Sequence, residues 1–243
     1  MTPYRFPQSA IGVITPSANV VVEWTAINLM RAFPEVGLHF ARTPVSGADD
    51  PFPDAYDMHA MLSAARLLAD ARPSVILWAG SKGALVGIEK DVMLCSAISA
   101  ETGVPATTPT IALCEMVSAG MRRVVLVTPY TQPYQRRLIE GFERLGITCV
   151  AERHAGVSDN LAYAEIEPTQ IREMTAAAFR DAGATADVVL TWCTNFATAG
   201  VVDQLESELG VPLIDATLLG MKQALSAIGV DPTRASAWGR LFQ

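Results

Sequence analysis

No two cysteines of this chain stand close together. Cys95, Cys114, Cys149 and Cys193 are widely spaced, and no CxxC occurs. A disulfide framework and a structural zinc site are therefore not indicated, and reduced thiols are expected. Histidine is scarcer still: His39, His59 and His154 have no metal-ligand spacing. Long apolar runs are also missing. Half of the 243 residues are apolar, yet charges break every run short of the roughly 18 to 20 residues that span a bilayer, so no membrane segment is expected. The start of the chain lacks a long apolar leader with a cleavage site, which points to the cytoplasm. Basic residues are in the minority, 18 Lys and Arg against 25 Asp and Glu, for a net charge of −7. They form no stripe, and nucleic acid is not an expected partner. Neither G-x-G-x-x-G after the first strand nor G-x-x-x-x-G-K-[ST] is present, which argues against a nucleotide cofactor.

What the sequence does contain is alternation. Short β-branched runs, "IGVIT" (11–15), "VGLHFART" (36–43), "SVILWAG" (74–80) and "GVPATT" (103–108), are separated by amphipathic stretches such as "AYDMHAMLSAARLLADA". This predicts a parallel sheet covered by helices. The pattern then restarts with "RRVVLVTPYTQ" (122–132), "CVAERHAGV" (149–157), "DVVLTWCTN" (187–195) and "GVPLIDAT" (210–217). Thr15-Pro16 and Thr128-Pro129 are 113 positions apart, as are Val75 and Val188, whereas Gly103-Val104-Pro105 and Gly210-Val211-Pro212 are 107 apart. Three matches in one order indicate an internal duplication, with the slip of six assigned to a shorter loop. The expected fold is α/β, with two similar Rossmann-like (flavodoxin-like) lobes related by a pseudo-twofold axis. Residues 1–118 plus 223–243 would form the N-terminal lobe and 119–222 the C-terminal lobe.

Open parallel sheets bind ligands beyond the carboxyl ends of their strands. "TPSAN", "WAGSKG", "TPYTQ" and "WCTN" would then share one cleft, with Ser17 and Asn19 from the first stretch and Gly80, Ser81 and Lys82 from the second. Gly80 and Cys193 would face opposite sides of one ligand. Cys193 reads as a thiol at the first turn of a helix, with its pKa tuned below about 8.5 by the dipole and nearby N–H groups. Thr194 and Asn195 suit a helix N-terminus or an anion cradle. The other three cysteines read as small buried hydrophobes.

These stretches resemble the aspartate/glutamate racemase superfamily, and within it the maleate isomerase and arylmalonate decarboxylase branch. The matching pieces are "TPSANVVVE", "AGSKGALVG", "GVPATTPT", "LVTPYTQP", "SDN", "CTN" and the ending "GRLF". The resemblance implies a cofactor-free, metal-free site between the lobes for a small-molecule carboxylic acid, in a monomer or a homo-oligomer. Racemases and maleate isomerases of this group use two cysteines on opposite faces of the substrate. This chain has Gly80 in place of the first and retains Cys193, as the decarboxylases do. By that resemblance Cys193 is the proton donor. Ser81, Tyr130 and the backbone N–H groups of Cys193 and Thr194 hold the enediolate, with Asn19 and Asn160 as further carboxylate contacts. Lys82 departs from the family pattern and reads first as a solvated surface cation. Were it to face the cleft, an additional anionic group on the substrate would be expected.

Other readings stay open. An isomerase or racemase would need a non-cysteine partner for Cys193. "AGSKG" is similar to the G-x-S-x-G elbow of α/β-hydrolases, but no histidine follows His154 to serve Ser81. A binding protein with two hinged lobes would need no cysteine at the interface.

Overall fold

The computed structural model describes residues 7–45 and 55–243. Residues 1–6 and 46–54, assigned above to the N-terminal lobe, lie outside it. The first half contains β1 (Ser9–Pro16), α1 (Val21–Leu29), β2 (Val36–Thr43), α2 (Met58–Ala69), β3 (Val75–Trp78), α3 (Gly83–Val86), α4 (Ile88–Thr102), β4 (Ala106–Thr107) and α5 (Pro109–Ser118). The second contains β5 (Arg123–Thr128), α6 (Gln132–Arg144), β6 (Thr148–His154), α7 (Pro168–Ala182), β7 (Val188–Thr191), α8 (Val202–Leu209), β8 (Leu213–Asp215) and α9 (Ala216–Ala227). Each of the eight apolar runs read from the sequence overlaps a strand. The strands pair in parallel as two sheets, ordered β2-β1-β3-β4 and β6-β5-β7-β8. One order used twice is the two-lobed α/β fold expected from the duplication.

The central strands are apolar because helices cover both faces of each sheet. Every residue of β3 and of β7 is buried, and burial of each Val, Leu or Ile side chain contributes roughly 1.5–3 kcal/mol. Gly103 and Gly210 end α4 and α8 in the left-handed region, at φ 72° and 75°, where glycine stops a helix without Cβ strain. The six-residue slip lies between these points. It is not the shorter loop expected from the sequence: α4 has 15 residues and α8 has 8, so the second copy has lost about two turns of helix.

The lobes are joined by more than their linker. Helix α9 follows β8 but packs on α1, β3 and α5, and the boundary expected at 222/223 falls within it. On the opposite side α3 lies against α6. There a Cβ on Gly141 would sit 2.0 Å from the Ala84 carbonyl oxygen, so only glycine permits this approach. Arg144 reaches across to donate to the Leu85 carbonyl at 3.0 Å. Among the described residues, no helix is long and apolar enough to cross a membrane.

Candidate active site

In each sheet the chain reverses winding direction between the two central strands, β1 and β3 or β5 and β7. Such switch points leave a crevice at the carboxyl strand ends. A cavity of about 220 Å³ lies at these ends. The N-terminal lobe lines it with Asn19, Gly80, Ser81 and Lys82, and the C-terminal lobe with Tyr130, Asn160, Cys193 and Thr194. Eight of the ten residues singled out from the sequence are thus brought together. Lys82, read first as a surface cation, is half-buried in the cavity wall.

Ser17 and Asn195 do not line the cavity. The Ser17 hydroxyl donates to the Val45 carbonyl and accepts from the Val45 N–H, both at 3.2 Å, tying the end of β1 to the segment after β2. Asn195 is fully buried and its side chain is committed to protein partners. Its Oδ1 accepts from the N–H groups of Val20 (2.9 Å) and Val21 (3.1 Å), and its Nδ2 donates to the carbonyls of Ala18 (3.3 Å) and Asn160 (2.6 Å). It caps α1 of the opposite lobe, whose own N-cap, Val20, offers no side-chain acceptor.

Cys193 also differs from expectation in two respects. Strand β7 ends at Thr191 and helical structure resumes only at Thr198, so the thiol sits in a turn rather than at the start of a helix. It is 4% exposed, and burial pushes its pKa up to about 12 instead of lowering it. The Tyr130 hydroxyl and the Asn195 N–H, which donates to Sγ at 3.4 Å, pull the other way, while the Asp215 charge adds to the rise. At neutral pH the site therefore holds a protonated thiol.

Around it lie hydrogen-bond donors. Burial and the neighbouring Cys193 raise the Tyr130 phenol well above its usual range, so Tyr130 keeps its proton, and its hydroxyl stands 3.5 Å from Ser81 Oγ. Tyr134 and Tyr163 pack on its ring at centroid distances of 4.3 and 5.5 Å. Asn19 Nδ2 donates to Thr194 Oγ1, and Asn160 Nδ2 donates to Asn19 Oδ1, each at 2.8 Å. Each amide nitrogen spends one proton on this chain of bonds and has a second to offer a ligand.

Behind the thiol, Asp215 caps α9 through Oδ1, which accepts from Thr217 and Leu218 N–H at 2.9 and 3.0 Å, while Oδ2 is buried without a partner. Burial raises this carboxyl to about 7. Since the folded-state value exceeds the unfolded one, the contribution to stability is full below about pH 4 and is lost as pH rises through 7. Asp215→Asn keeps a good cap without the charge. It is expected to remove a pH-dependent loss of at most about 4 kcal/mol and to flatten the denaturation midpoint between pH 4 and 8. Chemical denaturation across that range, with wild type alongside, checks this.

A family model described as arylmalonate decarboxylase matches residues 11–242. The chain belongs to the arylmalonate decarboxylase family. Two curated relatives are similar over nearly their whole length. A maleate isomerase of Nocardia farcinica is 26% identical over 241 residues, covering 96% of this chain and 95% of that protein. The arylmalonate decarboxylase of Bordetella bronchiseptica is 25% identical over 236 residues, with the same shares covered. Among solved structures, a liganded arylmalonate decarboxylase superposes with a TM-score of 0.84 at 23% identity, covering 97% of this chain and 99% of that one. That protein is a variant in which one glycine is replaced by cysteine and one cysteine by serine. Within the family both decarboxylase and isomerase activities occur, so membership gives an enzyme family and the fold without choosing the reaction.

Sequence reading overlooked three aromatic residues of this family member's cavity: Tyr56, Trp78 and Tyr134. Tyr134 was within reach, because it lies in the first turn of α6, directly after the strand-end stretch "TPYTQ" assigned to the cleft. Tyr56 had only its place before α2, and Trp78 passed for part of the strand.

Proposed function

We propose that this chain is a cofactor-independent carboxy-lyase that removes CO₂ from a substituted malonate or similar diacid and protonates the resulting enediolate from Cys193. The observation that carries this reading is the protonated, buried thiol on one wall of the cavity with glycine at position 80 on the other lobe. A racemase needs an acid/base on both faces and a maleate isomerase of this group attacks from the first-half cysteine; Gly80 can do neither.

In this reaction the bond from the α-carbon to one carboxylate breaks, CO₂ leaves, and the electron pair passes into the remaining carboxylate as an enediolate. Donors fixed beforehand favour that charge: Tyr130 Oη–H, Ser81 Oγ–H and the backbone N–H groups of Cys193 and Thr194. Asn19 and Asn160 offer their second amide protons to the same group. The Cys193 proton then moves to the α-carbon, and the thiolate recovers a proton before the next turnover. A thiol pKa near 12 means the donor is loaded throughout the neutral range. The approaching enediolate, more basic than a carboxylate, supplies the drive for transfer.

Lys82 bears on the substrate class. A cation in the wall favours an acid with an anionic group beyond the malonate pair. Lys82→Met is expected to raise KM about tenfold for malonates bearing such a group and less than twofold for phenylmalonate, with kcat little changed. Steady-state kinetics on the two classes test this, and equal effects would assign Lys82 a general electrostatic role.

An isomerase is the second reading, favoured by Asn19 and Asn160, which line the cavity and match that branch of the family. One experiment separates the two: incubation in D₂O with phenylmalonate and other substituted malonates, maleate, and the enantiomers of aspartate and glutamate, followed by NMR. Decarboxylation gives a monoacid with one deuterium at the α-carbon. Fumarate from maleate, or α-deuterium in recovered amino acid without CO₂ loss, would overturn the lyase.

A further inference from the structure

Gly80 lacks a side chain, but the space beside it is filled. A Cβ built there would lie 2.3, 2.4 and 2.7 Å from Cζ2, Cε2 and Nε1 of Trp78, closer than any real contact. The indole thus stands where a first-half cysteine would begin. It comes from the last residue of β3, it is 2% exposed and it lines the cavity.

Its nitrogen is unusual in being unsatisfied: Nε1 is buried and makes no hydrogen bond. Buried indole N–H groups normally find an acceptor, because leaving one unmet costs the desolvation of the group. The groups around it are engaged elsewhere. Tyr56 packs edge-on against the indole, at 5.9 Å between centroids and 80° between planes. Its hydroxyl oxygen is near enough to the indole N–H to interact with it, but not in hydrogen-bond geometry, and it gives its own proton to Asp91 Oδ1 at 2.5 Å. Asp91 Oδ2 accepts from Thr108 Oγ1. This buried carboxylate therefore anchors the tyrosine against the tryptophan, holding the ring in place while leaving its donor unused.

We propose that Trp78 is a substrate-binding residue: its Nε1–H donates to a carboxylate oxygen of the bound acid, and its ring closes the wall that a cysteine at position 80 would otherwise occupy. This rests on the preceding reading only in taking the ligand to be a small carboxylic acid. It adds a donor, and a face closed to solvent, that the family resemblance does not supply.

The test is binding of malonate, maleate and phenylmalonate by the full chain, measured by calorimetry, together with the indole N–H resonances of uniformly ¹⁵N-labelled protein. The chain has four tryptophans, and Trp78→Phe identifies the relevant resonance by its loss. If that variant fails to fold, replacing the other three in turn makes the same assignment. The Trp78 signal is expected to move downfield on saturation with at least one of the three acids. Trp78→Phe is expected to weaken that acid about tenfold, as for a lost hydrogen bond to a charged group, with the melting temperature kept near wild type. A merely structural tryptophan would leave the resonance in place and the affinity within twofold, and either result overturns the proposal, as does failure of all three acids to bind. Turnover with an unmoved indole would end the role of Trp78 alone. Binding with a shifted indole and no CO₂ release would end the lyase reading alone.

Discussion

Cys193→Ala is expected to lower turnover of a decarboxylated substrate by about two to four orders of magnitude while leaving the melting temperature within a few degrees of wild type. The size of the loss follows from the role: a positioned acid contributes about 10²–10⁴ in rate, and no other thiol lines the cavity. The small structural effect follows from what the sulfur touches. Its one backbone hydrogen bond, from the Asn195 N–H at 3.4 Å, is long for a nitrogen donor and weak for a sulfur acceptor. Removal of the thiol also relieves the crowding of ionisable groups between Tyr130 and Asp215. Cys193→Ser is expected to rescue little, since an alkanol gives up its proton less readily than a thiol. CO₂ release and product NMR, read beside thermal melts, check all of this, and activity retained with an unchanged melt would remove Cys193 from the chemistry.

Gly80→Cys should not, on its own, create a second acid. The obstacle is Trp78, whose indole atoms lie 2.3–2.7 Å from the incoming Cβ. Overpacking of this kind costs about 1–3 kcal/mol, or a melting temperature lower by roughly 3–10 °C in a chain of this size. Protonation is expected to remain on the Cys193 face, giving a single product enantiomer. Combining Gly80→Cys with Trp78→Ala makes room for the new side chain, and the product of the double variant is then expected to approach a racemate. Chiral analysis of a 2-arylpropionate formed from the corresponding malonate measures this whatever the change in KM. A racemic product from Gly80→Cys alone would show that the indole moves aside.

The lobes, their strands and most of the site were legible because doubly wound sheets write themselves plainly. Buried parallel strands are continuous apolar runs, and ligand contacts follow directly after them. What remained hidden depended on direction rather than position. "WAGSKG" and "WCTN" look alike through their tryptophans, but at the 113-residue spacing Trp192 matches Ala79 and Trp78 matches Thr191. Neighbouring residues at a strand end point to opposite sides. Trp192 accordingly turns inward, donating to the Ser81 carbonyl at 2.9 Å and packing on Phe142, while Trp78 turns to the cavity. The thiol pKa was missed for a related reason, since the first turn expected of a helix is an irregular turn sealed from water. Asn195 had the composition of an anion cradle, and nothing local reveals that the cradled groups are the first N–H groups of a helix 174 and 175 positions away.

Asn195 makes the floor of the cleft a locked joint. Its side chain grips the start of α1 while its own N–H rests on the Cys193 sulfur, so one residue couples the spacing of the lobes to the placement of the thiol. Prising the lobes apart at this point would break the three side-chain hydrogen bonds that Asn195 makes to Ala18, Val20 and Val21 and drag the thiol out of register with its neighbours.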